Sequence, residues 1–99
     1  MPNADATADT NRRREPRRRV RQDGLLFFPD GRTKRRCHVF DISPSGARLK
    51  VDGWRYLPDT FSVQIENGPV RLAEIRSRKM GILGVRFFTE EELQAVAAE

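Results

Sequence analysis

From Val20 onward the hydrophobic positions of this chain alternate with polar ones, and turn residues break the alternation at short intervals. Successive side chains of a strand point to opposite faces, so a period of two marks a strand with one buried side. VRQDGLLFF, over residues 20–28, reads as a first strand closed by Pro29, Asp30 and Gly31. Proline presets φ and glycine accepts positive φ, which makes that triplet a turn. KRRCHVFDI, over 34–42, reads as a second strand, and SPSG closes it. Ala47, Leu49 and Val51 alternate with Arg48, Lys50 and Asp52, and Phe61, Val63 and Ile65 alternate with Ser62, Gln64 and Glu66. Asn67-Gly68 is a hairpin signal leading into VRLAEIRS over 70–77, and a turn over 79–81 leads into ILGVRFF over 82–88. Short strands at this spacing predict an all-β barrel or sandwich. At this size closure is expected, because it removes exposed strand edges.

The pattern changes at both ends. Thr89 and Glu92 have the T-x-x-E spacing of a capping box, with Glu90 and Glu91 in the first turn, where carboxylates suit the helix dipole. A short C-terminal helix is therefore expected, with Leu93, Val96 and Ala97 on one face. Residues 1–11 are small and polar without hydrophobic periodicity, and are expected to form a disordered tail. The expected organisation is that tail followed by one domain over 12–99: a flexible arginine arm over 12–19, a barrel over 20–88 and a helix over 89–99. A chain of 99 residues suits one domain with a modest core. No apolar run approaches the length of a membrane span, so no membrane insertion is expected. The N-terminus lacks the apolar middle of a signal peptide. A single cysteine, Cys37, makes no internal disulfide and points to a reducing cytoplasm.

Charge sharpens this reading through its distribution. The net charge is +5, but residues 12–21 hold seven arginines and one glutamate, a local balance of +6. That leaves 12 of the 19 basic and 13 of the 14 acidic residues for the rest of the chain, a balance of −1. The basicity is one patch. It implies a partner with a few negative charges and does not require a long polyanion.

Several constellations invite a chemical reading. Asp41, Ser43 and His38 suggest a triad, but alternation puts Asp41 and Ser43 on one face and His38 on the other. No oxyanion-hole pattern accompanies them, so an enzyme is not expected. Cys37 and His38 supply only two zinc ligands where a closed site needs about four, so no metal is expected. Cys37 is then a small core residue and His38 a surface one. Trp54 and Tyr56 could stack on a base, but packing of their loop over the barrel is the favoured reading. DISPSG, over 41–46, has two readings. It is a turn in which Asp41 and Ser43 bond nearby backbone and Gly46 takes positive φ. Alternatively, it sets a carboxylate and a hydroxyl side by side at a strand end, with a glycine letting the backbone approach closely. A carboxylate accepts the N1–H and N2–H of guanine and repels phosphate. The arginines answer it, because a guanidinium forks onto phosphate and onto guanine O6 and N7. Arg13 and Arg17 have R-x-x-x-R spacing, as do Arg14 and Arg18.

Arg13-Arg14-Glu15-Pro16-Arg17, followed by a strand hairpin and then Asp41-Ile42-Ser43-Pro44-Ser45-Gly46, resembles the PilZ domain, a family of bacterial cyclic di-GMP receptors. GVRFF near the end is similar to the last barrel strand of that family. The resemblance implies a closed antiparallel barrel of about six strands with a C-terminal helix. It implies an N-terminal motif that folds over the ligand. By the same resemblance Arg13 and Arg17 hold phosphate and the guanine Hoogsteen edge, with Arg12, Arg14 and Arg18 beside them. Asp41 and Ser43 meet the other guanine edges and the ligand backbone, and Gly46 permits the close turn. The implied function is that of a non-enzymatic receptor. Cyclic di-GMP is its ligand, with no cofactor, and an ordered arm changes a surface that an unidentified protein partner reads. The alternatives are a nucleic-acid-binding module using the arm, against which the near-neutral remainder counts, and an adaptor that docks a protein and ignores the nucleotide.

Overall fold

The computed structural model describes residues 16–97. Its strands are β1 (Arg18–Phe27), β2 (Lys34–Ser43), β3 (Gly46–Lys50), β4 (Thr60–Ile65), β5 (Val70–Lys79) and β6 (Ile82–Phe87), followed by helix α1 (Glu90–Ala97). The six strands close an antiparallel barrel in the order β1-β2-β3-β6-β5-β4, with β4 returning to β1. The expected alternation builds the core. Leu26, Val39, Leu49, Phe61, Val63 and Leu83 are all but fully enclosed, with Ala47, Val51, Val85 and Phe87 around them. Among the described residues no helix is long and apolar enough to cross a membrane.

Departures from the sequence reading have local causes. β1 begins at Arg18 and not at Val20, because Arg18 and Arg19 pair with Ile42 and Asp41. In the β4–β5 turn positive φ falls on Glu66 (54°) and not on Asn67 or Gly68. Two bonds to the Asp23 backbone hold Glu66 there: its N–H donates to Asp23 O at 2.8 Å, and its Oε2 accepts from Asp23 N at 2.9 Å. The β5–β6 turn places Met80 (φ 51°) and Gly81 (φ 84°) between the paired Lys79 and Ile82, the arrangement of a type I′ hairpin.

Between β3 and β4 a short 3-10 helix, Trp54–Tyr56, crosses one end of the barrel. Arg78 pins it, donating from Nη1 to Trp54 O (3.0 Å) and from Nη2 to Leu57 O (2.9 Å) and Asp59 Oδ1 (2.8 Å). Trp54 packs against the core as expected, but Tyr56 is 86% exposed and does not. A single 3-10 turn directs only one of these two aromatics at the barrel. The capping box is present. Thr89 N–H donates to Glu92 Oε1 (2.8 Å), and Glu92 N–H donates to Thr89 Oγ1 (3.1 Å). Leu93, expected on one face of α1 with Val96 and Ala97, is 39% exposed. What ties the start of the helix to the barrel is Arg86, whose two terminal nitrogens each donate to a Glu92 oxygen at 2.8 Å.

Candidate functional site

The site is set by a break in strand parity. Against β3, Val39 pairs with Leu49 and Asp41 with Arg48, so Phe40 is an extra residue in β2. Such a bulge turns two consecutive residues to the same side. Before it, Cys37 and Val39 point into the core. After it, Ile42 pairs with buried Ala47 and packs on the core, so Asp41 and Ser43 lie on the outer face. This corrects the expectation that His38 faces away from Asp41. Both lie on the outer face, because one inserted residue inverts the alternation between them. The triad still does not assemble. His38 Nδ1 lies 4.0 Å from Asp23 Oδ1, Asp41 is held by arginines, and Ser43 Oγ donates to Gly46 O at 3.5 Å. Cys37 is a buried thiol, and burial, aided by the nearby Asp23 charge, pushes its pKa up to about 11.

Asp41 is outward-facing yet only 7% exposed. A buried carboxylate is costly unless it is paired, and two guanidinium groups pair it. Arg17 Nη1 donates to Asp41 Oδ2 at 3.2 Å, and Arg48 Nε lies 3.7 Å from the same oxygen. The two sequence motifs, 24 residues apart, therefore meet at one atom. Arg19, the register partner of Asp41 on β1, shares this face and borders an open groove of about 450 Å³ lined also by Val20, Arg21, His38 and Phe40. Arg18 goes elsewhere. It pairs with inward Ile42 and lines a cleft of about 270 Å³ at the barrel end, with Val63, Arg71 and Phe87. Only the Arg13/Arg17 register thus brings its second arginine to Asp41, and Arg12, Arg13 and Arg14 lie outside the described residues.

Gly46 is required for a reason other than the one expected. Its φ is not positive. An added Cβ would instead stand 2.4 Å from the carbonyl oxygen of Val85, where nothing but hydrogen fits. The β2–β3 turn is thereby pressed onto β6, and Phe87 N–H donates to Ser45 O at 2.8 Å. Next to Gly46 on β6 is Arg86, which joins Glu74 on β5 (2.8 Å) to Glu92 on α1. Its hydrogen bonds, with that from the Thr89 amide, hold the Glu92 carboxyl down at about 2.

The family model of the PilZ domain matches residues 11–98, a stretch that holds R-x-x-x-R, D-x-S-x-x-G and all six strands of the closed barrel. The chain belongs to the PilZ domain family. PilZ domains form a family of cyclic di-GMP receptors. No curated protein matches this one. In this PilZ domain the sequence reading missed Arg48. The β3 pattern marks it as outward, but only the bulge, invisible to periodicity, brings Asp41 round to meet it.

Proposed function

We propose that this PilZ domain is a cyclic di-GMP receptor and that the nucleotide binds on the outer face over β1, β2 and β3. Asp41 accepts guanine N–H groups, Ser43 serves the other guanine edge and the ligand backbone, and Arg13 and Arg17 grip phosphate and the Hoogsteen edge. Gly46 keeps the turn low enough for close approach. The observation that carries this reading is the Arg17–Asp41 contact at 3.2 Å, which gathers a phosphate-type donor and a guanine-type acceptor at one point. In the free protein Arg17 occupies the acceptor that guanine would use. Binding therefore exchanges Arg17 from Asp41 to the ligand, and the residues ahead of Arg17 follow it. That exchange alters the surface available to a protein partner.

Calorimetric titration of the full chain tests this with cyclic di-GMP, GTP and a random single-stranded RNA. Saturable heat with cyclic di-GMP, at least tenfold tighter than with GTP and not displaced by RNA, is the expected result. Tight RNA binding with no heat from cyclic di-GMP would replace this reading with a nucleic-acid-binding one.

A further inference from the structure

We infer that Arg48 is a nucleotide-gripping residue of this domain, a third fork beside those of the R-x-x-x-R motif. The inference rests on the receptor reading above and adds a contact that neither motif contains. Arg48 and Arg17 address the same oxygen of Asp41, at 3.7 and 3.2 Å. Any ligand that reaches both Arg17 and Asp41 therefore lies within reach of Arg48. The Arg48 contact is made through Nε, and among the described residues neither terminal nitrogen of Arg48 has a hydrogen-bond partner. The side chain is half exposed, at 51%. The half-exposed guanidinium thus leaves its two terminal nitrogens for a ligand, and two such donors suit a phosphate or the O6/N7 edge of guanine.

The ground beside Arg48 is also clear. Its register partner on β6 is Gly84, which lies on the outer face between the buried Leu83 and Val85 and carries no side chain. Beyond Gly84 stands only Ser77, so close that an added Cβ on Gly84 would meet its Oγ at 2.6 Å. A planar base or a ribose can thus extend from Asp41 past Arg48 onto a low floor. Arg48 serves a second purpose during the exchange. When Arg17 leaves Asp41 for the ligand, Arg48 keeps the carboxylate paired.

The test is calorimetric titration of cyclic di-GMP into the full chain and into Arg48→Ala, Arg48→Lys, Asp41→Asn and Arg32→Ala variants, with a thermal melt of each. Arg32 is an exposed cation in the β1–β2 turn, outside every strand, and is the charge control. Arg48→Ala is expected to lose at least tenfold in affinity with an unchanged melt, Arg48→Lys to recover only part of it, and Arg32→Ala to stay within twofold. The slope of log affinity against log salt should also flatten in Arg48→Ala, which loss of a merely structural residue would not cause. If the unaltered chain binds and Asp41→Asn weakens it while Arg48→Ala stays within twofold, the assignment of Arg48 falls and the receptor reading stands. Full recovery by lysine would reduce Arg48 to a counter-ion and also overturn the grip. No heat from the unaltered chain overturns the receptor reading and this assignment together.

Discussion

Asp41 is a carboxylate held under two guanidinium groups on the outside of a barrel, and its environment defines what a substitution there does. Asparagine keeps the shape and the capacity to accept from Arg17, but it loses the charge that strengthens bonds from guanine N–H groups. Charge-assisted hydrogen bonds contribute about 1.5–3 kcal/mol, so Asp41→Asn should weaken cyclic di-GMP binding roughly tenfold to hundredfold. The melt should hardly move, because Arg17 and Arg48 are each half exposed and can be solvated alone. Unfolding of this variant would assign Asp41 to the turn and not to the ligand. Gly46 gives the opposite signature. In Gly46→Ala the new methyl meets the Val85 carbonyl at 2.4 Å, and backbone must move. We expect a loss of about 1–3 kcal/mol and a fall in Tm of about 4–8 °C for each kcal/mol. Gly31 has φ 77° but nothing within 4 Å. Gly31→Asn should therefore cost less than about 1 kcal/mol, since asparagine tolerates the left-handed region. Differential scanning calorimetry of the two variants separates close approach from backbone conformation as the reason for a glycine.

At the scale of elements, the β5–β6 hairpin and the start of α1 make distinct predictions. Met80 sits at φ 51° in a two-residue turn and is 84% exposed, so its side chain gains little from packing. Met80→Asn should raise stability by about 0.5–1 kcal/mol by relieving that conformation, seen as a higher Tm. The Glu92 carboxyl, held at about 2 by Arg86 and the Thr89 amide, has a folded pKa below its ordinary 4.5. The stabilisation it provides is complete above pH 4.5 and is lost as pH falls toward 2. The amide proton of Thr89 donates to this carboxylate, so its NMR shift should titrate with a midpoint near 2 and not near 4.5, and the transition should vanish in Glu92→Gln. Most elements were legible from the chain alone because period, turn residues and capping box agree. Val39, Leu49, Phe61 and Val63 fall where alternation puts them. What was not legible depends on other strands. The bulge at Phe40 follows from pairing with β3, the outward turn of Asp41 follows from the bulge, and the contact with Arg48 follows from both. The need for Gly46 is likewise set by Val85, 39 residues away. A local pattern of residues does not encode such contacts.

For the molecule as a whole, a concentrated positive charge over residues 12–21 runs into the start of β1, and the remainder of the chain is near neutral. A dianionic nucleotide meets that charge with few phosphates, so affinity should fall with salt, but less steeply than for a polyanion. Ordering backbone costs about 1–2 kcal/mol per residue, so the arginines must share the work of holding the ligand. In hydrogen exchange we expect the amides over residues 11–17 to gain protection on adding cyclic di-GMP. Those of β1 beyond Gln22, paired with both β2 and β4, should exchange slowly in either state. Equal exchange over 11–17 with and without saturating nucleotide would exclude a closing arm even if binding itself were observed. The barrel also governs which changes in chain length the domain can absorb. A ring of strands has no terminal strand that can slide, so a lost residue must be accommodated where it is lost. Deleting Phe40 would remove the bulge and leave simple alternation along β2, with Val39 inward, Asp41 still outward and Ile42 still on the core. The same one-residue deletion in the turn over 29–31, outside every strand, would leave all six registers as they are. A deletion scan along the chain should therefore find the loss of the bulged Phe40 or of a turn residue tolerated, and the loss of Leu49, which would put Lys50 where Leu49 enters the core, not tolerated.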